Sequence, residues 1–210
     1  QRSNEPSPAA GVKIPRASRT GSLPLSFAQE RLWLLDQLEG GNNAAYNMPA
    51  AFHLQGALNQ AALHASLQEL IRRHEILRTT FPAVEGVPVQ QIAETANFAL
   101  PVIDLRRFPG NQQANETKRL MFVEATQPFN LASGPLLRGQ LLQLGEEEFV
   151  LLLTMHHIIS DGWSLGVLMN EVMALYRRET LPTLPVQYID YALWQRDWLQ
   201  GDVLQRQLEY

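Results

Sequence analysis

The chain has 210 residues, enough for one domain of good size or for one lobe of a larger domain. It is 45% hydrophobic and 18% charged, as globular proteins usually are, and its net charge of −4 gives no reason to expect nucleic acid or an anionic membrane as partner. The lack of cysteine and of an apolar run of the ~18–20 residues that cross a bilayer excludes thiol chemistry, disulfides and a membrane span, and fits a cytoplasmic location.

The first 22 residues are rich in Ser, Pro, Gly and Ala, which predicts a linker over 1–22 and a folded unit over 23–210. The chain starts without Met and stops inside a helical pattern, so we expect it to be a segment of a longer protein.

The first predicted helix starts at Ser26, which forms a capping box with Gln29, and it ends at Gly40-Gly41. A short strand follows at Pro49–Leu54. A second helix is predicted for Asn59–His74, with His74 serving as a cap or making a core hydrogen bond. The expected buried stripe of the first helix comprises Phe27, Arg31, Leu34, Leu35 and Leu38.

Two strands are predicted next, at Ile76–Phe81 and Val87–Ile92, with a turn at Glu85-Gly86 between them. A third helix is predicted for Ala114–Thr126.

The pattern then predicts a hairpin of Leu136–Leu144 and Glu148–His157, whose second strand is apolar on both faces and is therefore central in the sheet. A helix follows Gly162, and a last helical stripe runs from Tyr188 to Trp198. Helices interleaved with hairpins indicate an α/β sandwich with a mixed sheet.

The densest group of chemically capable side chains lies in Met155–Ser164, where two histidines end the buried strand and a tight polar turn leads into a helix. Neighbouring side chains of a strand point to opposite faces, so His156 and His157 do not converge on one metal ion, and no cysteine completes a site. We therefore predict no metal centre.

One histidine is expected to pack inward while the other faces an open edge, where an imidazole suits acid–base work on an acyl transfer. Gly162 would leave space beside it for a substrate. The alternative is that both histidines only hydrogen-bond the backbone and that Asp161 only caps the next helix.

The segment His156–Gly162 resembles the His-His-x-x-x-Asp-Gly motif of the condensation-domain superfamily, which includes chloramphenicol acetyltransferase. Three more segments resemble motifs of the condensation domains of nonribosomal peptide synthetases, in the same order: Ser26–Trp33, Arg73–Phe81 and Tyr188–Gln195. The resemblance implies a chloramphenicol acetyltransferase-like α/β sandwich, with a mixed, mostly antiparallel sheet flanked by helices. It identifies 23–210 as the N-terminal lobe of a two-lobed domain whose C-terminal lobe is absent.

The resemblance also implies a function: acyl transfer from a thioester on one peptidyl carrier domain to the amine of an aminoacyl group on another. His157 would assist the amine by removing a proton, by orienting it or by stabilising the intermediate. His156 and Asp161 would be structural, and Arg78 is our candidate cation to pair with a buried Asp161.

The implied partners are donor and acceptor carrier domains with their phosphopantetheine arms, an adenylation domain and the second lobe; no cofactor is expected on this chain itself. The fragment alone should be inactive, because one wall of the substrate tunnel is missing, and its exposed lobe face should favour self-association. Two other functions remain open: a free-standing acyltransferase that uses CoA thioesters, and a degenerate docking platform. The Trp163-Ser164 continuation resembles that of an ordinary condensing member more than that of an epimerising one. An L-configured donor is our separate expectation, which no residue of this lobe fixes.

Overall fold

The computed structural model describes residues 13–41, 43–201, 203 and 205. The described residues include five α-helices with defined bounds: α1 (Phe27–Leu38), α2 (Gln60–Arg73), α3 (Gly110–Thr126), α4 (Gly162–Tyr176) and α5 (Tyr188–Trp198). Their strands are β1 (Asn47–Gln55), β2 (Thr79–Thr80), β3 (Ala83–Val84), β4 (Val87–Pro88), β5 (Gln91–Ile92), β6 (Val102–Asp104), β7 (Leu137–Gln143) and β8 (Glu148–His156).

The main sheet has the order β1-β8-β7-β6, with antiparallel pairs except for the parallel pair of β6 and β7. The predicted hairpin and the central place of its second strand are thereby confirmed, as is the mixed, mostly antiparallel α/β architecture. Short edge strand β6 escaped the sequence analysis, because three residues are too few to show a period.

Helices cover both faces of this sheet because β8 is apolar on both sides. Leu151, Leu153 and Met155 pack into the larger core with side chains of α2 and α4. Val150 and Leu152 face the other way, into a smaller core that Leu120 of α3 helps to close. Burial on two faces explains the near-continuous apolar run of this strand.

The capping box of Ser26 and Gln29 is present at the start of α1, but the predicted buried stripe of this helix is wrong. Leu34 and Leu38 are exposed, Leu38 by 75%, whereas the polar Gln29 and Asp36 are buried. The Gln29 amide donates to the carbonyl of Ile158, and this contact turns the Gln29 side of the helix toward the interior of the protein.

The prediction of two strands at 76–81 and 87–92 is correct only in part. The two segments pair antiparallel through Thr79–Thr80 and Gln91–Ile92, and the turn at Glu85-Gly86 is present, with positive φ at both residues. Glu75–Arg78 instead forms a 3-10 helix. Polar side chains engage its backbone: Gln187 accepts from the Glu75 N–H, and the Thr79 hydroxyl donates to the Glu75 carbonyl. Those groups are then not available for a strand ladder.

The segment before α1 packs on the lobe from further upstream than residue 23. Arg19 forms ion pairs with Glu75 and with Asp190, whose side chain is fully buried, and the Ala17 N–H donates to the same Asp190 carboxylate. Residues 13–22 therefore contribute contacts to the folded unit, while residues 1–12 of the predicted linker lie outside the described residues.

No helix among the described residues is long and apolar enough to cross a membrane.

Candidate active site

The two histidines at the end of β8 face opposite sides of the sheet, as strand alternation predicts. His156 is only 1% exposed and packs edge-on against the ring of Phe129, whereas the next residue, His157, is exposed. The N–H of His157 donates to the carbonyl of Tyr46, just before β1, so this last imidazole is held at the edge of the sheet.

A hydrogen bond fixes the tautomer of His157. Its Nδ1 lies 2.7 Å from the carbonyl oxygen of Ser160. A carbonyl oxygen can only accept, so Nδ1 carries the proton and Nε2 of the neutral ring keeps a free lone pair. The ring is therefore prepared to accept a proton or a hydrogen bond at Nε2.

The buried histidine has the opposite tautomer. Nδ1 of His156 accepts from the N–H of Ile158 at 3.1 Å, so its proton is on Nε2. Burial, with a smaller effect of the neighbouring His157, lowers the pKa of His156 to about 4. His156 is therefore neutral at physiological pH and supports the turn that follows it.

His157 opens into a cleft of about 670 Å³ between α1, α4 and the start of α5. The polar groups of its wall include Ser160 and Asp161, and its aromatic wall is formed by Tyr46, Tyr188 and Tyr191. This volume lies within the range of small-molecule sites. Burial raises the pKa of Tyr188, whose hydroxyl shares a hydrogen bond with Ser26, so the phenol stays protonated.

Asp161 caps α4. Its Oδ1 accepts from the N–H and the hydroxyl of Ser164 (2.7 and 2.6 Å), and these bonds lower its pKa. This cap fixes the start of α4 directly after the turn of Ile158–Ser160. Capping was the simpler alternative for this residue, and the geometry is that of a helix N-cap.

The structure does not bring Arg78 and Asp161 together. Nη1 of Arg78 donates to the carbonyl of Ala93, and Asp161 is exposed rather than buried. The prediction of an ion pair rested on burial of the carboxylate, and an exposed carboxylate with two local donors needs no cation.

Gly162 is the first residue of α4 and is exposed. A Cβ atom built on it would meet nothing within 4 Å, so the lobe itself does not require glycine here. A requirement for glycine would have to come from a bound substrate.

Sequence reasoning missed several residues of the cleft wall, including Tyr46, and did not foresee that His74 lines the cleft and pairs with Glu171 behind it. His74 Nε2 lies 2.7 Å from Glu171, which also accepts from Arg73. His74 does stand at the C-cap of α2, as expected, but its ring reaches the cleft. This position of His74 depends on its contact with Glu171 of α4, about a hundred residues away, and no local sequence pattern predicts such a contact.

Among the described residues, no group of three or more His, Cys, Asp or Glu side chains is arranged to hold a metal ion.

Comparison with known proteins identifies a family that covers most of the chain. A family model for the condensation domain matches residues 19–210. A linear gramicidin synthase protein from Brevibacillus parabrevis is 49% identical over 98% of this chain, which corresponds to 3% of that protein. The chain thus spans only a few per cent of the length of such curated relatives.

Two solved structures have a similar fold. The X-domain from teicoplanin biosynthesis aligns with a TM-score of 0.80 at 30% identity, over 91% of this chain and 41% of that one. The starter condensation domain of rhizomide synthetase aligns with a TM-score of 0.76 at 24% identity, over 87% and 45% of the two chains. In each case the chain corresponds to less than half of the solved structure, and the predicted condensation-domain fold is confirmed.

Proposed function

Because the chain belongs to the condensation-domain family, we propose that it carries the acid–base histidine for amide-bond formation in nonribosomal peptide synthesis. The donor is an acyl group held as a thioester on one carrier domain, and the acceptor is an aminoacyl group on a second carrier domain. The observation that carries this proposal is the exposed His157 ring, which lines an open cleft and keeps a free lone pair on Nε2 because its Nδ1 binds the Ser160 carbonyl.

In the proposed reaction the acceptor amine attacks the thioester carbonyl. The new C–N bond forms, the C–S bond breaks, and the donor arm leaves as a thiol. Nε2 of His157 accepts a hydrogen bond from the attacking amine and takes up its proton, which then passes to the departing sulfur. Nδ1, bound to the Ser160 carbonyl, keeps the ring oriented through the transfer.

Phosphopantetheine arms on the partner domains supply the thioester chemistry. The cleft has room for the end of such an arm and its acyl group, and its wall is mainly apolar with few polar groups. We propose donor and acceptor carrier domains, an adenylation domain and a second lobe as partners, and a cytoplasmic location, since these relatives are synthetases and the chain has no cysteine.

We further propose that the 210-residue chain is inactive by itself. His157 is open to solvent on the side of the cleft, whereas acyl transfer needs a site that excludes water and orients both arms. Amide formation by the isolated chain at a rate comparable with that of the whole synthetase would contradict this.

One experiment separates carrier-dependent condensation from acyl transfer between CoA thioesters and free amines. The synthetase protein that carries this chain is supplied either with both loaded carrier domains or with acyl-CoA and the free amino acid. We expect amide product from the carriers and little from the CoA thioester. Comparable kcat/KM values for the two donors would instead support the free-standing acyltransferase.

A further inference from the structure

Asn47 and His156 stand directly opposite each other on the antiparallel strands β1 and β8. The next pair of residues, Tyr46 and His157, is joined by a backbone hydrogen bond, so Asn47 and His156 form a non-hydrogen-bonded pair. In such pairs the Cα atoms are about 4.5 Å apart and both side chains lie on the same face. This face is the one opposite the cleft.

Each side chain of this pair has one buried polar atom without a partner among the described residues. For Asn47 it is Oδ1, and for His156 it is Nε2. The identity of the Asn47 oxygen is fixed, because its Nδ2 donates to the carbonyls of Ala125 and Gln127, both at 2.8 Å. The His156 proton is fixed on Nε2 by the Ile158 N–H at Nδ1. One atom is therefore an acceptor and the other a donor.

We propose that Asn47 is a positioning residue for His157 that acts through His156, with one buried water molecule joining Asn47 Oδ1 to the Nε2–H of His156. Complementary buried groups that do not touch are the usual partners of such a water molecule. This role in positioning rests on the proposed function, whereas the hydrogen-bonded link itself does not.

The link reaches the catalytic ring through short steps. An acceptor at Nε2 keeps the proton there, which leaves Nδ1 of His156 free to accept from Ile158. That bond shapes the turn of His157–Ser160, and the turn places the Ser160 carbonyl 2.7 Å from Nδ1 of His157. The opposite tautomer of His156 would set two N–H groups against each other, at Nδ1 and at Ile158, and would disrupt the turn.

The segment around Asn47 is anchored well enough to serve this purpose. Its amide ties the start of β1 to the end of α3, and the ring of Phe129 packs edge-on against His156 from the same side. Arg138 stacks on the ring of Phe129, 3.7 Å from its centroid, and also binds Glu124. The imidazole of His156 is thereby held between fixed neighbours.

The link can be tested first in the unmodified 210-residue chain, by long-range 1H–15N spectra of its histidines. We expect His156 as the Nε2–H tautomer, with a slowly exchanging proton that cross-relaxes with a bound water molecule. A His156 proton on Nδ1, or a rapidly exchanging Nε2–H without any contact to water, would overturn the proposal. This outcome does not depend on catalysis.

The effect on catalysis is tested in the whole synthetase with Asn47→Ala, using Asn170→Ala on the exposed side of α4 as the matched control. Misplacement of His157 should lower kcat by ~10–100-fold while KM for both loaded carriers stays constant. In a His157→Ala background Asn47→Ala should have no further effect. An equal further loss in that background, or a change of KM alone, would overturn the positioning role. Unchanged activity of His157→Ala itself would instead refute the proposed function.

Discussion

The N–H of His157 donates a hydrogen bond to the carbonyl oxygen of Tyr46 across the end of the sheet, at 2.9 Å. This bond extends the pairing of β1 and β8 by one residue, and it directs the side chains of both residues into the same cleft. The residues before them, His156 on β8 and Asn47 on β1, consequently face the other side. A single strand end thus supplies a buried imidazole that supports the turn and an exposed imidazole that can take up a proton.

The buried His156 should make the chain sensitive to acid. Its pKa is lowered to about 4 from the ordinary value of about 6.5. Between these two pH values the unfolded state is protonated at this histidine whereas the folded state is not, which favours unfolding. The resulting decrease in the free energy of unfolding begins near pH 6.5 and grows as the pH falls toward 4. By pH 4.5 we expect it to reach about 2–3 kcal/mol of the free energy of unfolding.

His156→Asn is the matched variant for this measurement, because its Oδ1 can still accept from Ile158 while nothing titrates. Urea unfolding at pH 7 and at pH 4.5 should show a smaller acid loss for the variant than for the unmodified chain. Equal losses in the two proteins would show that other groups cause the acid sensitivity.

Asp161 should stabilise the chain as a helix cap and not as a partner of Arg78. Asp161→Ala should lower the free energy of unfolding by about 1 kcal/mol. Asp161→Asn should lower it much less, since asparagine is an equally good cap. A double-mutant cycle with Arg78→Ala should give a coupling energy near zero. A coupling energy above about 1 kcal/mol would instead support the ion pair of Arg78 and Asp161 that the sequence suggested.

Gly162 and Gly166 lie one turn apart at the start of α4, and a Cβ atom on either would meet nothing within 4 Å. Alanine at each position should therefore leave the fold intact and raise the free energy of unfolding by up to about 1 kcal/mol. Only Gly162 adjoins Asp161 and the turn that carries His157, so Gly162→Ala should slow condensation by ~10-fold or more while Gly166→Ala has no effect. Equal rates for both variants would show that no substrate group approaches Gly162.

Arg19 should be needed for the stability of the lobe although it lies in the predicted linker. It compensates the fully buried Asp190 through hydrogen bonds of 2.6 and 3.2 Å. Its loss would leave that carboxylate, within the described part of the chain, with two N–H donors, from Ala17 and Gln187. We expect Arg19→Ala to cost on the order of 3 kcal/mol in chemical denaturation.

Arg16→Ala serves as the control for this variant, since Arg16 is exposed and forms no ion pair among the described residues. If both substitutions lower the free energy of unfolding only slightly and to a similar extent, the stably folded unit begins after residue 22, as the composition suggested.

The sequence predicted those parts of the fold that local patterns encode. The capping box at Ser26 and the doubly apolar strand Phe149–Leu153 each depend on neighbours within a few residues, and both were correct. The alternation of His156 and His157 is equally local, because it follows from the geometry of any strand.

The errors arose where distant contacts override local preference. The exposed Leu34 and Leu38 face outward because Gln29 binds the carbonyl of Ile158, more than a hundred residues away. The 3-10 helix at Glu75–Arg78 depends on Gln187. Arg19 looked like part of a linker, since nothing near it in the sequence announces the buried Asp190.

The central claim is that Nε2 of His157 takes part in the chemical step. Its most direct test is the single-turnover rate of amide formation in the whole synthetase, with both carrier domains loaded beforehand, for the unmodified protein and for His157→Ala. Since His157 is exposed, the variant should fold normally, and we expect the rate to fall by ~10²–10⁴-fold. A rate within a factor of two of the unmodified protein would contradict the account and leave this lobe as a docking platform.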